Sequence, residues 1–380
     1  MARVLVAGAG PVGLTAALAL ARRGVPVTVL EAEPALAAES RASTFHPPSL
    51  EMLDELGVLD ALLERGLVSR TFQYRERRGG IIAELDLSVL SGDTPYPFRV
   101  QCEQSKLTPI LREHLLEAGG EVRFGAAVRD VLPHAGGVEV ATAGGRFRGD
   151  WLIGADGAGS AVRRSLGVGF EGMTYPERFL VASTRTDIEA LLPGIAAVNY
   201  VFDPEEWLVL LRTPDHWRVL FPTPEGTPDD HELARLPERL RGVADAPWDV
   251  AHASLYRVHQ RVAATFRTGR VLLAGDAAHV NNPLGGMGMN SGIHDAVRLA
   301  GALADVLDGG PEAALDAAAA ARRETARSFV QRVTHANWER MRSDDPAAYH
   351  DELRKLAGDP VELRRYLLRT SMIASLRDAA

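Results

Sequence analysis

The hydrophobic pattern near the N-terminus predicts a strand, a helix and a second strand in close succession. Val4–Ala7 is a short apolar run that ends in glycines, as expected of a buried parallel strand. From Val12 to Arg23 the apolar residues lie on all sides of a helix rich in alanine and leucine, and Gly24 ends it. Residues 25–31 follow as a second strand, so the three elements form a β-α-β unit.

Two later segments show the shorter alternation of pleated strands. Residues 70–101 and 178–261 contain several alternating runs with turn residues between them. The runs 207–212 and 217–222, joined by four turn residues, predict an antiparallel hairpin. We interpret the two segments as one antiparallel sheet domain inserted into the first domain.

The rest of the chain alternates between helical patterns and short buried strands. Helices are predicted over 48–63, 105–118, 289–307, 311–342 and 346–377, and strands near 121–124, 137–142, 151–153 and 270–274. The last helical segment is basic and amphipathic, and we expect its apolar face to pack on the same chain or on a partner subunit rather than on a membrane. The predicted division is a nucleotide-binding domain (1–69, 102–177 and 262–310), a substrate-binding sheet domain (70–101 and 178–261) and a C-terminal helical region (311–380).

Composition narrows the class of protein. A formal net charge of −8 disfavours a general nucleic-acid role, because phosphate binding needs a basic face. The single cysteine, Cys102, excludes an internal disulfide and a cysteine-based zinc cluster, and it fits a reducing cytoplasm. No run approaches the roughly 20 apolar residues that a membrane span needs, and the N-terminus lacks a signal-peptide pattern. We therefore expect a cytoplasmic protein without a bound metal.

The first candidate motif is the pattern G-x-G-x-x-G formed by Gly8, Gly10 and Gly13. Its context supports it, because a strand precedes it, a helix follows and the next strand ends in an acid, Glu31. The first glycine permits the tight turn, the second lets backbone amides approach a pyrophosphate, and the third lets helix and strand pack closely. The helix N-terminus then faces the phosphates, and Glu31 accepts hydrogen bonds from a ribose.

The second motif distinguishes a flavin nucleotide from a nicotinamide one. A predicted strand ends in Gly275-Asp276, and a loop rich in proline and glycine then opens a helix. Asp276 stands where a carboxylate holds a ribityl chain. The helix N-terminus near Met289 and Asn290 faces the N1–C2=O edge of an isoalloxazine, where reduced flavin is negative and the helix dipole stabilises it.

The third motif, residues 154–167, follows the predicted strand at 151–153. Asp156 and Gly157 begin it, and Ser160 and Arg163 follow. Gly157 suits a turn, and Arg163 is expected to pair with Asp156 or with a phosphate.

With these three motifs in this order, the sequence resembles the FAD-dependent aromatic-ring hydroxylases, the single-component flavin monooxygenases similar to para-hydroxybenzoate hydroxylase. The resemblance implies an α/β fold: a Rossmann-type, glutathione-reductase-like FAD-binding domain with an inserted antiparallel β-sheet substrate domain and C-terminal helices. It also implies that Arg41 lies beside the flavin and that Gln104 contacts FAD. The predicted cofactor-binding residues are Gly8, Gly10, Pro11, Val12, Gly13, Glu31, Ala32, Arg41, Gln104, Asp156, Gly157, Asp276, Pro283, Gly286, Gly288, Met289 and Asn290.

The same resemblance implies the chemistry. NAD(P)H reduces a non-covalent FAD, and O2 then forms a flavin C4a-hydroperoxide that hydroxylates a small aromatic or phenolic substrate. Pro283, Gly285 and Gly286 are the predicted catalytic loop, where oxygen reacts. A monomer or homodimer is expected. An FAD-dependent reductase of the same fold, without oxygen insertion, is the alternative, and a flavoprotein that only binds a small molecule is a second one.

A phenolic substrate needs a base or proton relay to activate its ring. The sequence does not single one out, and for each candidate on the predicted sheet ordinary packing or a solvated surface is the simpler interpretation. His279 is interpreted as scaffolding of the loop near the flavin. The candidates on the sheet are Tyr200, Arg212, His216, Arg218, His252, Tyr256 and His259.

Overall fold

A computed structural model describes residues 3–38, 42–343 and 346–377 of the 380-residue chain. The described strands, in chain order, are β1 (Val4–Ala7), β2 (Val27–Leu30), β3 (Thr44–Phe45), β4 (Leu67–Ser69), β5 (Thr71–Glu76), β6 (Gly80–Asp86), β7 (Arg99–Gln101), β8 (Glu121–Arg123), β9 (Val128–His134), β10 (Gly137–Thr142), β11 (Gly145–Gly149), β12 (Trp151–Gly154), β13 (Phe170–Thr184), β14 (Val198–Phe202), β15 (Leu208–Arg212), β16 (Trp217–Pro224), β17 (Val250–Ala263), β18 (Arg267–Thr268), β19 (Val271–Leu273) and β20 (His279–Val280).

Helices cover much of the remaining chain. The described helices are α1 (Pro11–Arg22), α2 (Pro47–Glu55), α3 (Leu59–Leu63), α4 (Gln104–Glu117), α5 (Ala161–Ser165), α6 (Ile188–Leu191), α7 (Asp229–Arg241), α8 (Met287–Leu307), α9 (Glu312–Glu324), α10 (Gln331–Met341), α11 (Ala347–Gly358), α12 (Pro360–Thr370) and α13 (Ile373–Arg377). A π-helical turn, Thr325–Val330, joins α9 to α10. No helix among the described residues is both long and apolar enough to cross a membrane.

The first β-α-β unit opens a six-stranded sheet with the order β18-β19-β12-β1-β2-β8. The pairs β19–β12, β12–β1, β1–β2 and β2–β8 are parallel, and only β18 at the edge runs antiparallel. All four residues of β1 and of β2 are buried, which explains why their sequences are continuous apolar runs rather than alternating ones. The carboxyl ends of β1, β12 and β19, each followed by one of the three motifs, therefore lie side by side.

A second, eight-stranded sheet has the order β20-β17-β13-β16-β15-β14-β5-β6. The predicted hairpin is present as β15–β16, which pair antiparallel. One pairing departs from the expected antiparallel arrangement: β5 and β14 run parallel, because they come from the two separate segments of the chain. The strands of this sheet also extend past the predicted limits of the sheet domain, 70–101 and 178–261, since β13 begins at Phe170 and β20 lies at 279–280. The division into a nucleotide-binding domain, a sheet domain and a C-terminal helical region stays a prediction.

The two faces of this sheet are covered by different elements. On β14, Tyr200 and Phe202 join an apolar core with the C-terminal helices, whereas Val201 joins a core with Leu236 of α7. The period-2 alternation of the strands places successive side chains on opposite faces. One face of the sheet is thus closed by the C-terminal helices, and this is where the aromatic residues gather.

The basic C-terminal helix packs on its own chain. Leu363 and Leu367 of α12 are buried, and α12 lies against the short 3-10 helix at 87–90. Arg364 donates to Asp93 at 2.7 Å, and Arg377 donates to the same carboxylate at 3.0 Å. The structure therefore favours packing on the same chain among the alternatives that the sequence left open.

Three predicted helices are interrupted, and one of them is 346–377, which forms α11, α12 and α13. The segment predicted as one helix over 48–63 forms α2 and α3, because Gly57 takes a positive φ of 62° and ends the first of them. The segment predicted over 311–342 contains the π-helical turn. In 48–63 and 311–342 the pattern of apolar residues continues through the break, so periodicity alone does not reveal it.

Candidate flavin site and aromatic cleft

The glycine loop after β1 adopts a conformation that few other residues allow. Gly8 has a φ of +100°, and a Cβ built there would lie 2.5 Å from the carbonyl oxygen of Ala155. A Cβ on Gly13 would lie 2.0 Å from the carbonyl oxygen of Gly8. The first and third glycines of the motif are therefore needed by the fold itself, since the backbones of α1, β1 and the loop after β12 approach too closely for a side chain.

The second glycine of the motif has a different role. Gly10 is the N-cap residue of α1, with Pro11 at the first helical position, and no side chain caps this helix end. A Cβ on Gly10 would meet nothing within 4 Å. Open space at the positive end of a helix with uncapped amides suits a pyrophosphate, so the residues present fit the phosphates of FAD.

Glu31 lies directly over this loop. Its carboxylate accepts hydrogen bonds from the backbone N–H of Ala9 at 2.6 Å and of Glu33 at 3.0 Å, and the predicted contact residue Ala32 lies between the two acids. Its expected ribose contact stays a prediction. Arg41 lies outside the described residues. Gln104, at the first position of α4, donates its backbone N–H to the carbonyl of Ala42.

The Gly275-Asp276 motif forms a single 3-10 turn after β19. Asp276 is exposed, whereas Gly275 and Ala277 on either side of it are buried. A Cβ on Gly275 would lie 2.8 Å from a Cγ of Val12, so this turn touches the start of α1. The first and second motifs therefore meet in space, with the carboxylate of Asp276 on the accessible side.

We expect Asp276→Ala to weaken FAD binding about tenfold or more, because it removes a charged hydrogen-bond partner from the exposed side of the turn. Titration of the apoprotein with FAD, followed by flavin fluorescence, measures this change. Asp308→Ala is the matched control, since Asp308 is a surface carboxylate paired with Arg23 at the far end of α8. An unchanged dissociation constant in Asp276→Ala would contradict the predicted role.

A buried ionic network that no sequence motif indicated holds the Gly275-Asp276 turn from the side of α8. Asp295 of α8 is fully buried and accepts hydrogen bonds from Gly275 N–H at 3.1 Å, His279 Nε2 at 2.8 Å and Arg322 Nε at 2.7 Å. Burial alone would raise the pKa of Asp295, but Arg322 and His279 outweigh it and hold that pKa below its ordinary value. The ring of His279 also stacks on Phe266. The structure thus places His279 in the scaffold of the turn.

In the third motif, the structure does not show the expected pair of Arg163 with Asp156. Asp156 accepts hydrogen bonds from Ser160 Oγ at 2.5 Å and from the backbone N–H of Ala161 at 2.7 Å, so it holds the start of α5. Arg163 forms no hydrogen bond with Asp156: its guanidinium donates to the carbonyl oxygens of Ala277 and Ala158, each at 2.8 Å. Arg163 therefore fastens the third motif to the second. Gly157 takes a positive φ of 80°, as its turn requires.

The proline- and glycine-rich loop that follows is held by two buried asparagines. Asn282 donates to Tyr175 Oη at 3.0 Å and to the carbonyl of Thr334 at 2.9 Å. Asn290 accepts from the N–H of His46 at 2.8 Å and donates to the carbonyl of Gly286 at 2.7 Å. Because the amide of Asn290 is used within the protein, its predicted contact with FAD would have to come from the backbone.

The predicted catalytic loop is partly accessible to solvent, and a hydrogen bond from His46 holds it. Pro283, Gly285 and Gly286 are all half-buried, and both glycines have positive φ angles, 106° and 65°. Gly286 is the N-cap of α8 and no side chain caps it, so the first amides of α8, at Gly288 and Met289, lie at an uncapped helix end. His46 Nε2 donates to the carbonyl of Gly285 at 2.8 Å.

Gly285 also lines a narrow cleft of about 240 Å³ that is partly open to solvent. An adjoining cleft of about 210 Å³ shares Tyr74, Tyr200 and Asn337 with it. The first cleft is lined by Phe72, Tyr74, Arg99, Tyr200, Gly285, Met287, Asn337, Tyr366 and Thr370. The cleft thus joins the predicted catalytic loop to the aromatic face of the large sheet.

The aromatic walls follow from strand register and helix packing. Tyr74 and Tyr200 are directly opposite each other in the parallel pair β5–β14, and their rings stack with centroids 5.3 Å apart. Tyr366 of α12 closes the cleft, with its hydroxyl 2.9 Å from that of Tyr74. Of the seven sheet candidates from the sequence, Tyr200 lines the cleft and the other six do not. Tyr74, Arg99 and Tyr366 were missed.

Comparisons with known proteins agree with this geometry. Residues 1–333 match the family model described as an FAD binding domain. The chain is 38% identical over 381 residues to para-nitrophenol 4-monooxygenase of Pseudomonas sp. strain WBC-3, covering 96% of this chain and 94% of that protein. It is 38% identical over 343 residues to 6-hydroxy-3-succinoylpyridine 3-monooxygenase HspB of Pseudomonas putida strain DSM 28022 / S16, covering 87% and 86%.

Solved structures give the same result. The crystal structure of p-nitrophenol 4-monooxygenase PnpA from Pseudomonas putida DLL-E4 aligns with a TM-score of 0.93 at 34% identity, over 99% of both chains. Aklavinone-11 hydroxylase, solved with FAD and aklavinone, aligns with a TM-score of 0.80 at 30% identity, over 89% of this chain and 68% of that one. The expected α/β fold with an FAD-binding domain is thereby confirmed.

Proposed function

The chain belongs to the family of FAD-dependent aromatic-ring hydroxylases, and we propose that it uses NAD(P)H and O2 to hydroxylate a small, single-ring phenol. It is an FAD-dependent aromatic monooxygenase. The observation that supports the substrate class is the position of Gly285, which belongs both to the loop after the Gly275-Asp276 motif and to the wall of the aromatic cleft. A ring bound in that cleft would lie against the loop that faces the flavin.

The lining of the cleft supports an aromatic ring. Phe72, Tyr74 and Tyr200 offer ring faces and edges for aromatic contacts. Two relatives are named for action on para-nitrophenol and on a hydroxypyridine, which are single hydroxylated rings.

The proposed division of labour leaves the redox chemistry to FAD, which when bound accepts a hydride and activates O2. Gly10 and the N-terminus of α1 would hold the pyrophosphate, Glu31 the adenosine ribose and Asp276 the ribityl chain. Arg41, Gln104, Asp156 and Gly157 are further proposed contacts. Pro283, Gly285 and Gly286, with the α8 N-terminus at Gly288, Met289 and Asn290, would face the ring system.

The protein's own residues would orient the substrate and exclude water. The aromatic side chains of the cleft hold the ring, while His46 holds the carbonyl of Gly285 and fixes the loop. Exclusion of water from this site would keep the reacting oxygen from being lost to solvent. A monomer or homodimer in the cytoplasm stays the predicted state and location.

The direct test is the mass of the product. FAD-loaded enzyme is incubated with NADH or NADPH under 18O2 and a panel of single-ring phenols, and products are identified by mass spectrometry. We expect substrate-stimulated NAD(P)H oxidation and a product that carries one 18O atom. NAD(P)H oxidation with a reduced, oxygen-free product would favour the reductase alternative. Binding of phenols without NAD(P)H oxidation would favour a protein that only sequesters them.

A further inference from the structure

We propose that Arg99 binds the substrate as an anion, so that this enzyme selects phenols that are bound in their phenolate form. The proposal deepens the proposed function and rests on it for the identity of the cleft as the substrate site. Arg99 begins β7, a strand in which all three residues are buried. Its side chain lines the same cleft as Gly285 and Tyr200.

The charge of Arg99 has no acidic partner. The residue is only 3% exposed, and among the described residues no carboxylate lies within ion-pair distance of its guanidinium. Its Nε is buried and makes no hydrogen bond, and its guanidinium carbon lies 4.2 Å from the ring centroid of Phe72. A buried charge is costly unless it is paired, so this arginine is poised for a negative group that comes from outside the protein.

The titratable groups around Arg99 do not supply that negative charge. They are Tyr74 on β5, Tyr200 on β14, Tyr366 on α12 and His46 at the start of α2. Burial raises the pKa of Tyr74 and of Tyr200, so both phenols are neutral at neutral pH. Burial, with the charge of Arg99, lowers the pKa of His46 to about 3, so that ring is also neutral. Arg99 is therefore a positive charge beside the neutral rings of Tyr74, Tyr200 and His46.

This arrangement is complementary to a phenolate. The flat ring of the ligand fits between aromatic walls, and its oxygen anion fits the planar set of guanidinium donors. In a site of low dielectric constant the cation favours the ionised form of the phenol and lowers its pKa on binding. The phenol loses its proton to solvent as it binds, and the electron-rich ring that results is the form a hydroxylating oxygen attacks. A carboxylate base in the cleft is then not required.

The test uses FAD-loaded enzyme without NAD(P)H, so that nothing turns over. The ligands are 4-nitrophenol, whose phenolate has a visible absorption band that the neutral phenol lacks, and its methyl ether, 4-nitroanisole, which cannot ionise. Difference spectra are recorded at a pH below the pKa of free 4-nitrophenol, where most of the free ligand is neutral. The variants are Arg99→Met, Arg99→Lys and, as a matched control, Arg70→Met, which removes an exposed arginine near the ring of Phe98.

We expect the wild type and Arg70→Met to show the phenolate band for bound ligand. Arg99→Met should bind 4-nitrophenol about 10- to 100-fold more weakly and without that band, while its affinity for 4-nitroanisole stays within about threefold. Arg99→Lys should recover part of the band. Equal loss of both ligands in Arg99→Met would show a packing role or a contact with the nitro group, and unchanged phenolate binding would show no role; either result overturns the proposal.

The two proposals fail separately. If the wild type binds phenolate through Arg99 but forms no product that carries 18O, the hydroxylase proposal is wrong and the anion site stands. If the wild type forms that product and Arg99→Met binds and ionises 4-nitrophenol as the wild type does, only the anion site is wrong.

Discussion

Gly10→Val is expected to abolish most FAD binding while leaving the apoprotein about as stable as the wild type. A Cβ at this position meets nothing within 4 Å, and the backbone of Gly10 is extended, with φ −73° and ψ 178°, which valine tolerates well. The added side chain would fill the space at the N-terminus of α1 where the pyrophosphate is proposed to lie. We expect FAD affinity to fall at least about 100-fold, or about 2.7 kcal/mol.

Gly13→Ala is the control, and it is expected to change the stability of the apoprotein, which Gly10→Val leaves about unchanged. In Gly13→Ala the new Cβ would lie 2.0 Å from the carbonyl oxygen of Gly8, so the backbone has to move. We expect the apoprotein to lose about 1–3 kcal/mol of unfolding free energy. Urea unfolding of the two apoproteins, together with FAD titration, separates these roles. Normal FAD binding by Gly10→Val, or an unfolding loss in it as large as that of Gly13→Ala, would contradict the assignment.

The parts of the site that the sequence predicts are those that local backbone geometry determines. A strand, a tight turn and a helix N-terminus are contiguous in sequence, so their glycines and acids occur at fixed spacing. Gly8 and Gly13 accordingly show the close backbone approaches that the motif requires, and the cofactor contacts of the motif stay predictions. The order of the three motifs along the sequence carries the resemblance to a known family, and that resemblance implies the fold.

The aromatic cleft could not be predicted in the same way, because the fold assembles it from distant elements. Tyr74 and Tyr200 meet only because β5 and β14 pair in parallel register, and no local pattern encodes that pairing. Arg99 comes from a short strand of a separate three-stranded sheet, and Tyr366 comes from a helix near the C-terminus. An available signal was the alternation of Phe72 and Tyr74, which places both rings on one face of β5.

The buried network around Asp295 leads to the last prediction. Asp295→Asn keeps the shape of the side chain but leaves Arg322, which is 3% exposed, without its counter-charge. Removing one partner of a buried ion pair costs roughly 3–5 kcal/mol, so we expect a loss of that size in unfolding free energy, measured by urea denaturation. FAD affinity should fall as well, because Asp295 holds the N–H of Gly275 beside Asp276.

This prediction has two controls: a substitution of an exposed carboxylate on the same helix, and the pH dependence of stability. Asp305→Asn removes an exposed carboxylate of α8 that pairs with Arg23, and it should cost no more than about 0.5 kcal/mol. Because the folded pKa of Asp295 lies below its ordinary value, its stabilisation is fully present above that ordinary value and is lost as the pH falls through the folded pKa. The Asp295→Asn variant should lack this part of the acid-induced loss. Equal stability of the two variants at neutral pH would show that the network is not what fixes the Gly275-Asp276 turn.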